Sequence, residues 1–185
     1  MTGKPFHGQW IPAVVLGAAV ALAGCPRVLY LDYRPATSVR GSGPVRVDAF
    51  TYAGHPRGLM QQKELETGAR DVEALYLSQD IGEFFAAALK KELDFAGYEL
   101  KPDAPSIISG TIDQFSLNYE GQENQRFQMQ ATFQVTRQGI PPSTGSCHSD
   151  KRQRRDWMRS GMLIEQGVKD CLDEFLRGAQ AAGAL

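Results

Sequence analysis

Arg126-Phe127-Gln128-Met129-Gln130-Ala131-Thr132-Phe133-Gln134-Val135-Thr136 is the stretch that decides the fold. Phe127, Met129, Ala131, Phe133 and Val135 fall on one side of an extended chain, with Gln128, Gln130, Thr132 and Gln134 on the other. A period of two held over this length reads as a strand with one face in a core and one in water. Such strands belong to antiparallel sheets covered on a single side. Upstream, Gly121 to Asn124 suits a hairpin turn, and Phe115, Leu117 and Tyr119 alternate with Gln114, Ser116 and Asn118. The partner strand is therefore expected from Ile107 to Tyr119, with Gly110 marking a bulge.

Helical spacing frames this hairpin. Before it, Ile81, Phe84, Phe85, Ala88, Leu89 and Leu93 share one helix face, while Lys90, Lys91 and Glu92 are expected to point outward. Asp80 with Glu83 gives a start resembling a capping box, and Gly97 suits the left-handed stop. After it, a helix from Ser160 places Ile164, Val168, Cys171, Leu172, Phe175, Leu176 and Ala179 on one stripe. A first strand is read at Val45, Val47, Ala49 and Thr51, alternating with Arg46, Asp48 and Phe50. Residues 53–77 lack a clean face and read as a long mobile loop. Past Gly139-Ile140-Pro141-Pro142 comes a polar loop, then a weak strand from Lys151 to Met158. The order β-α-β-β-(β)-α predicts an α+β fold: an antiparallel sheet of three to four strands with two helices on one face.

The N-terminus has a different character. From Ile11 to Ala23 the chain is apolar or small, carries no charge, and is interrupted by Pro12 and Gly17. A spanning helix needs about 20 apolar residues, so this shorter run suits the h-region of a signal peptide behind Lys4. It ends in Leu22-Ala23-Gly24-Cys25. That tetrad resembles the lipobox of bacterial lipoproteins: an aliphatic, two small residues, then Cys. The resemblance implies diacylglycerol on the Cys25 sulfur, cleavage before it, and acylation (palmitate or a similar chain) of the new amine. Pro26 in place of Asp implies sorting to the outer membrane. The competing reading is an uncleaved anchor in which Cys25 is a buried thiol. The expected organisation is a signal peptide over residues 1–24, a lipidated tether over 25–44 and one periplasmic domain over 45–185. Element order over the domain also resembles, more loosely, small outer-membrane accessory lipoproteins of the transport-auxiliary type, which implies an accessory role.

Charge and cysteine content narrow the function. The chain has a formal net charge of −1, and loss of Lys4 with the signal leaves 19 basic against 21 acidic residues. Near-neutrality in a periplasmic compartment argues against nucleic acid as a partner. Two cysteines remain in the mature chain, Cys147 and Cys171. In an oxidising compartment such a pair is more often bonded, although Cys171 also fits the helix core as a thiol. Cys147, His148 and Asp150 do not complete a zinc set, and no nucleophile-elbow, zincin or phosphate-loop sequence is present. No cofactor, metal or catalytic residue is therefore expected, and the protein reads as non-enzymatic. Asp113 sits in the strand candidate with apolar neighbours and reads either as a buried functional carboxylate or, more plainly, as an exposed edge residue.

Lys151, Arg152, Arg154 and Arg155 form the one basic run, with Trp157 beyond it. It reads either as contact with lipid headgroups or an acidic partner, or as a solvated edge strand guarded by charge. The functional expectation is a membrane-anchored accessory or assembly subunit with an envelope protein partner. Its oligomeric state is not set by the sequence. The alternative is a lipid or glycan pocket between sheet and helices, lined by Phe84, Phe85, Phe127 and Phe133. Mass spectrometry of the N-terminal peptide should show diacylglyceryl-modified Cys25 as the first residue. An unmodified peptide running through residue 25 would refute the anchor.

Overall fold

Phe127, Met129, Ala131, Phe133 and Val135 all turn inward, each 0–4% exposed, in a computed structural model that describes residues 27–53, 62–67 and 74–185. They belong to β7 (Asn124–Arg137), which pairs antiparallel with β6 (Ser106–Glu120) across a turn at Gly121, where φ is 65°. On its other edge β7 pairs antiparallel with β8 (Ile140–Arg154). The residues read as a polar loop after Pro142 are thus strand, because β7 offers them a continuous ladder. Strand pairing here overrides weak local propensity.

The sheet is mixed rather than antiparallel. β2 (Pro44–Tyr52) runs parallel to β6 and is joined to it through α1 (Ile81–Ala96). A helix between neighbouring strands carries the chain back to the starting end, so the second strand must run in the same direction as the first. The short β5 (Glu99–Leu100) adds parallel to β2, giving the order β5-β2-β6-β7-β8. Residues 53–77, expected to be one loop, contain β3 (Glu64–Leu65) and β4 (Leu75–Leu77), which join β1 (Arg27–Leu29) as a three-stranded sheet ordered β1-β4-β3. Leu65, Leu75 and Leu77 are at most 1% exposed, so this part of the segment is core. Glu66 carries the small sheet onto the large one, its N–H donating to Phe115 O and its carbonyl accepting from Leu117 N–H. Residues 54–61 and 68–73 of that expected loop lie outside the described residues.

Bulges reset two of the expected patterns. The β2–β6 register shifts between Val47 and Phe50, so Val45, Val47, Phe50 and Tyr52 face the core while Ala49 is exposed. The bulge on β6 falls between Ile112 and Gln114, not at Gly110. Gly110 is instead a close approach: a Cβ there would stand 2.3 Å from Thr132 O and 2.6 Å from the Phe50 ring.

Both helices cover one face of the sheet. α1 buries the six apolar residues its spacing predicts and ends at Gly97, φ 102°, with Tyr98 N–H donating to Leu93 O. α2 (Ser160–Ala181) follows a 3₁₀ turn (Trp157–Arg159) and buries its whole predicted stripe. Rings from both layers meet in the middle, Phe50 on Phe85 at 5.2 Å and Phe133 stacked on Phe175 at 3.8 Å. A disulfide joins Cys147 on β8 to Cys171 on α2, Cα atoms 5.0 Å apart. Cys147 lies in a regular strand rather than the irregular segment the sequence suggests.

The antiparallel pairings give the molecule two ends. At one lie the β6–β7 turn, the end of β8 and the start of α2, tied by Arg155 N–H to Glu123 O and Gln125 Nε2 to Asp156 O. At the other, residues 41–43 meet the end of α1, Gly41 N–H donating to Ala96 O. Replacing Cys147 and Cys171 together by Ser should lower unfolding free energy by about 3 kcal/mol, the loop-closure value for a crosslink of separation 24. Urea titration with and without reductant reads this directly, and superimposable curves would show that no bond forms.

Candidate functional site

Residues 30–43, expected to be a tether, are laid between the two helices. Nothing in their periodicity foretells this, because their backbone is held by side chains of α1 and α2 rather than by a ladder. Glu92 is the centre of the arrangement. It is 1% exposed, on the helix face that spacing from Phe85 and Leu89 places inward, and not outward as expected. Tyr33 Oη donates to its Oε1 at 2.5 Å, Ala36 N–H donates to both oxygens at 3.1 Å, and Thr37 N–H donates to Oε2 at 2.8 Å. A carboxylate withdrawn from water needs donors of this kind to offset its lost hydration.

The rest of the strap follows from that grip. Lys91 Nζ donates to Tyr33 O at 2.9 Å, and the Tyr33 ring packs edge-on against Phe84 with centroids 6.2 Å apart. Burial and then the Glu92 carboxylate hold the Tyr33 phenol far above its usual pKa, so it stays a donor. On the α2 side, Thr37 Oγ1 donates to Asp173 at 2.8 Å, and Asp32 N–H donates to Glu165 at 2.8 Å. Burial alone would raise the Asp173 pKa, but the donors from Thr37 and Ser38, with Arg177, leave it below the usual carboxylate value. Glu165 is shifted the other way, chiefly by burial. Gln180 Nε2 closes the far end on Arg40 O. The strap thus runs along α2 from its start to its last turns.

The sequence-predicted contact residues do not make one patch. Alternation along β8 turns Lys151 toward the helices, where it pairs with Asp170, and sends Arg152 and Arg154 to the open face. Arg152 Nε lies 2.8 Å from Glu120, and the Arg155 guanidinium sits 4.4 Å above the Tyr119 ring. Since β8 is the last strand of the five, this run occupies a sheet edge. Neighbouring Arg126 donates to Asp150 and holds that carboxyl below its usual pKa. His148 is exposed beside Glu174, facing away from Cys147. Asp113 is exposed at the β6 bulge and accepts from Thr132 Oγ1 at 2.8 Å. Cys25 lies outside the described residues.

The four rings proposed to line a pocket are 0–2% exposed and packed into the core. Phe85 lies 5.8 Å from Phe133, and Phe115 lies 5.0 Å from Phe127. A small cleft of about 170 Å³ lies elsewhere, between residues 143–146 of β8 and the Glu174 to Ala182 side of α2. A second buried polar pair pins the start of α2, with Ser160 Oγ donating to Gln125 Oε1 at 2.9 Å.

No family model matches the chain, and no curated protein matches it. Solved structures do. A protein from Xanthomonas campestris described as DUF330 is similar over 84% of this chain and 99% of its own, with TM-score 0.63 at 10% identity. An uncharacterized protein covers 83% of this chain and 98% of its own, with TM-score 0.56 at 14% identity. More distantly, rare lipoprotein B from Shewanella oneidensis covers 75% of this chain and 96% of its own, with TM-score 0.45 at 6% identity. At these identities the likeness to the first two establishes a shared fold.

Glu92→Ala leaves buried donors at Tyr33 and Thr37 without partners and should cost about 3 kcal/mol. Tyr33→Phe removes one donor and should cost about 1 to 2 kcal/mol. Chemical denaturation measures both. Wild-type stability in the two variants would mean the strap is not held as described.

Proposed function

We propose that the chain is a lipid-anchored cell-envelope lipoprotein acting without catalysis, as an accessory or assembly subunit of an envelope or transport complex. The observation that carries this reading is Leu22-Ala23-Gly24-Cys25 closing an apolar run, directly upstream of a chain that enters β1 at Arg27. The acylated residue then lies two positions before the folded domain, so the domain sits against its membrane instead of ranging on a long leash. Acyl chains at Cys25 would supply attachment, two or more being needed for a stable hold. Among the described residues no helix is long and apolar enough to cross a membrane. Pro26 after the acylated position supports the outer membrane as the destination.

A binding role draws on surfaces rather than on an interior pocket, since the core aromatics fill the space between sheet and helices. The open face of the sheet presents Gln114, Gln128, Gln130, Thr132 and Gln134, flanked by Arg152 and Arg154 on the edge strand. Uncharged hydrogen-bonding groups on a broad flat surface, with charges at the rim, suit a protein partner better than a small ligand.

Crosslinking in intact cells, followed by gentle detergent purification and mass spectrometry, should recover a stoichiometric envelope protein. Exchange of Arg152, Arg154 and Arg155 for Ser should reduce that recovery. Purification of the chain by itself under crosslinking would overturn the accessory-subunit reading.

A further inference from the structure

Among the described residues seven large apolar side chains are exposed; Phe95, Leu100 and Ile140, at 41–52%, lie toward the α1 C-terminus and the β7–β8 turn, and the other four, which include the three most exposed, lie at the opposite end. Met158 is 90% exposed, Tyr30 81%, Met162 57% and Val28 39%. Met158 and Met162 stand one helical turn apart where the 3₁₀ turn passes into α2. The strap brings Tyr30 to the same place. A Cβ on Gly161 would lie 3.7 Å from the Tyr30 carbonyl oxygen and 3.2 Å from Leu31 Cδ2, which puts the strap against the start of α2. Isolated exposed apolar residues need no explanation, but several drawn together from separate segments do.

Covalent reach says what covers them. An extended residue spans at most about 3.6 Å, so the Cys25 backbone lies within about 7 Å of Arg27. Arg27 opens β1, and Val28 and Tyr30 follow it directly. On the reading that Cys25 is acylated, the surface around Arg27 is therefore held at the bilayer, and that surface is the end that bears Tyr30, Met158 and Met162. Arg154, Arg155 and Arg159 stand beside it, with Asp156 held by Arg159 at 3.3 Å, so cations flank the apolar group as they do in interfacial segments.

We propose that Tyr30, Met158 and Met162 form a membrane-seating patch that inserts into the headgroup region of the leaflet carrying the anchor. The α2 N-terminus and the β6–β7 turn then face the lipid. The end formed by residues 97–104 and the β7–β8 turn points away from it, and the open sheet face is left clear of the bilayer for a partner. This proposal rests on the lipid-anchor reading above, and its test separates the two.

The mature lipidated protein carries an NBD fluorophore at M158C or, as a control at the opposite end, at K101C. The Cys147–Cys171 bond and acylated Cys25 leave the introduced thiol as the labelling site. Both proteins are placed on vesicles of phosphatidylethanolamine and phosphatidylglycerol. Flotation reports the anchor, and fluorescence reports the seat. The expected result is co-flotation, with a blue-shifted, lipid-quenchable emission at position 158 and an aqueous one at 101. Co-flotation with both probes aqueous overturns the patch and leaves the anchor intact. Failure to float overturns the anchor, and the chain beginning at Pro26 then decides the patch on its own. With that chain, vesicle partitioning should fall roughly tenfold when Met158 and Met162 are changed to Ser. Unchanged partitioning overturns the proposal.

Discussion

The carboxylate of Glu92 is the group on which the arrangement of this chain depends. Buried on α1, it would be costly without partners, and the strap supplies them from Tyr33, Ala36 and Thr37. The bargain is mutual: the strap has no ladder of its own, so its backbone donors need an acceptor at that position. Asp173 repeats the arrangement from α2, taking Thr37 Oγ1 and Ser38 N–H. One segment thereby satisfies a buried carboxylate on α1 and a half-buried one on α2, and the helices are joined through it.

Holding the strap also helps to fix where the N-terminus leaves the domain. β1, just upstream of the strap, is paired with β4, so the exit of the chain is held by the small sheet as well as by the strap. That pairing, with residues 30 and 31 lying against Gly161, brings the exit at Arg27 toward the start of α2. The polar grip between the helices and the β1–β4 pairing thus together set which outer surface an anchored chain presents to lipid.

The sheet divides the labour differently on its two faces. Toward the helices, Phe50, Phe85, Phe133 and Phe175 build a ring cluster that packs the layers, and the Cys147–Cys171 bond staples the outermost strand to α2. Strand β8 is a long edge strand with only one side paired, and the staple ties it to the helix layer. Its charges act on the opposite face and at the edge, where Arg152 and Arg126 find Glu120 and Asp150. A basic run that looks contiguous in sequence is therefore shared out by the pleat.

Periodicity by itself determined both helices, the β6–β7 hairpin and the apolar stripes of α1, α2 and β7, because burial of a regular element leaves its period in the sequence. Gly97 and Gly121 were legible for a related reason, each standing where a positive φ ends an element. The resemblance of Leu22-Ala23-Gly24-Cys25 to a lipobox was legible because a short local pattern needs no fold to be recognised. Parallel pairing of β2 with β6, the length of β8 and the core role of Leu65, Leu75 and Leu77 were decided only in three dimensions, since each depends on a neighbour distant in sequence. Glu92 lay on the buried face by spacing alone, yet its charge argued for water. Only the strap, arriving from nearly sixty residues away to donate hydrogen bonds, made burial of that carboxylate favourable.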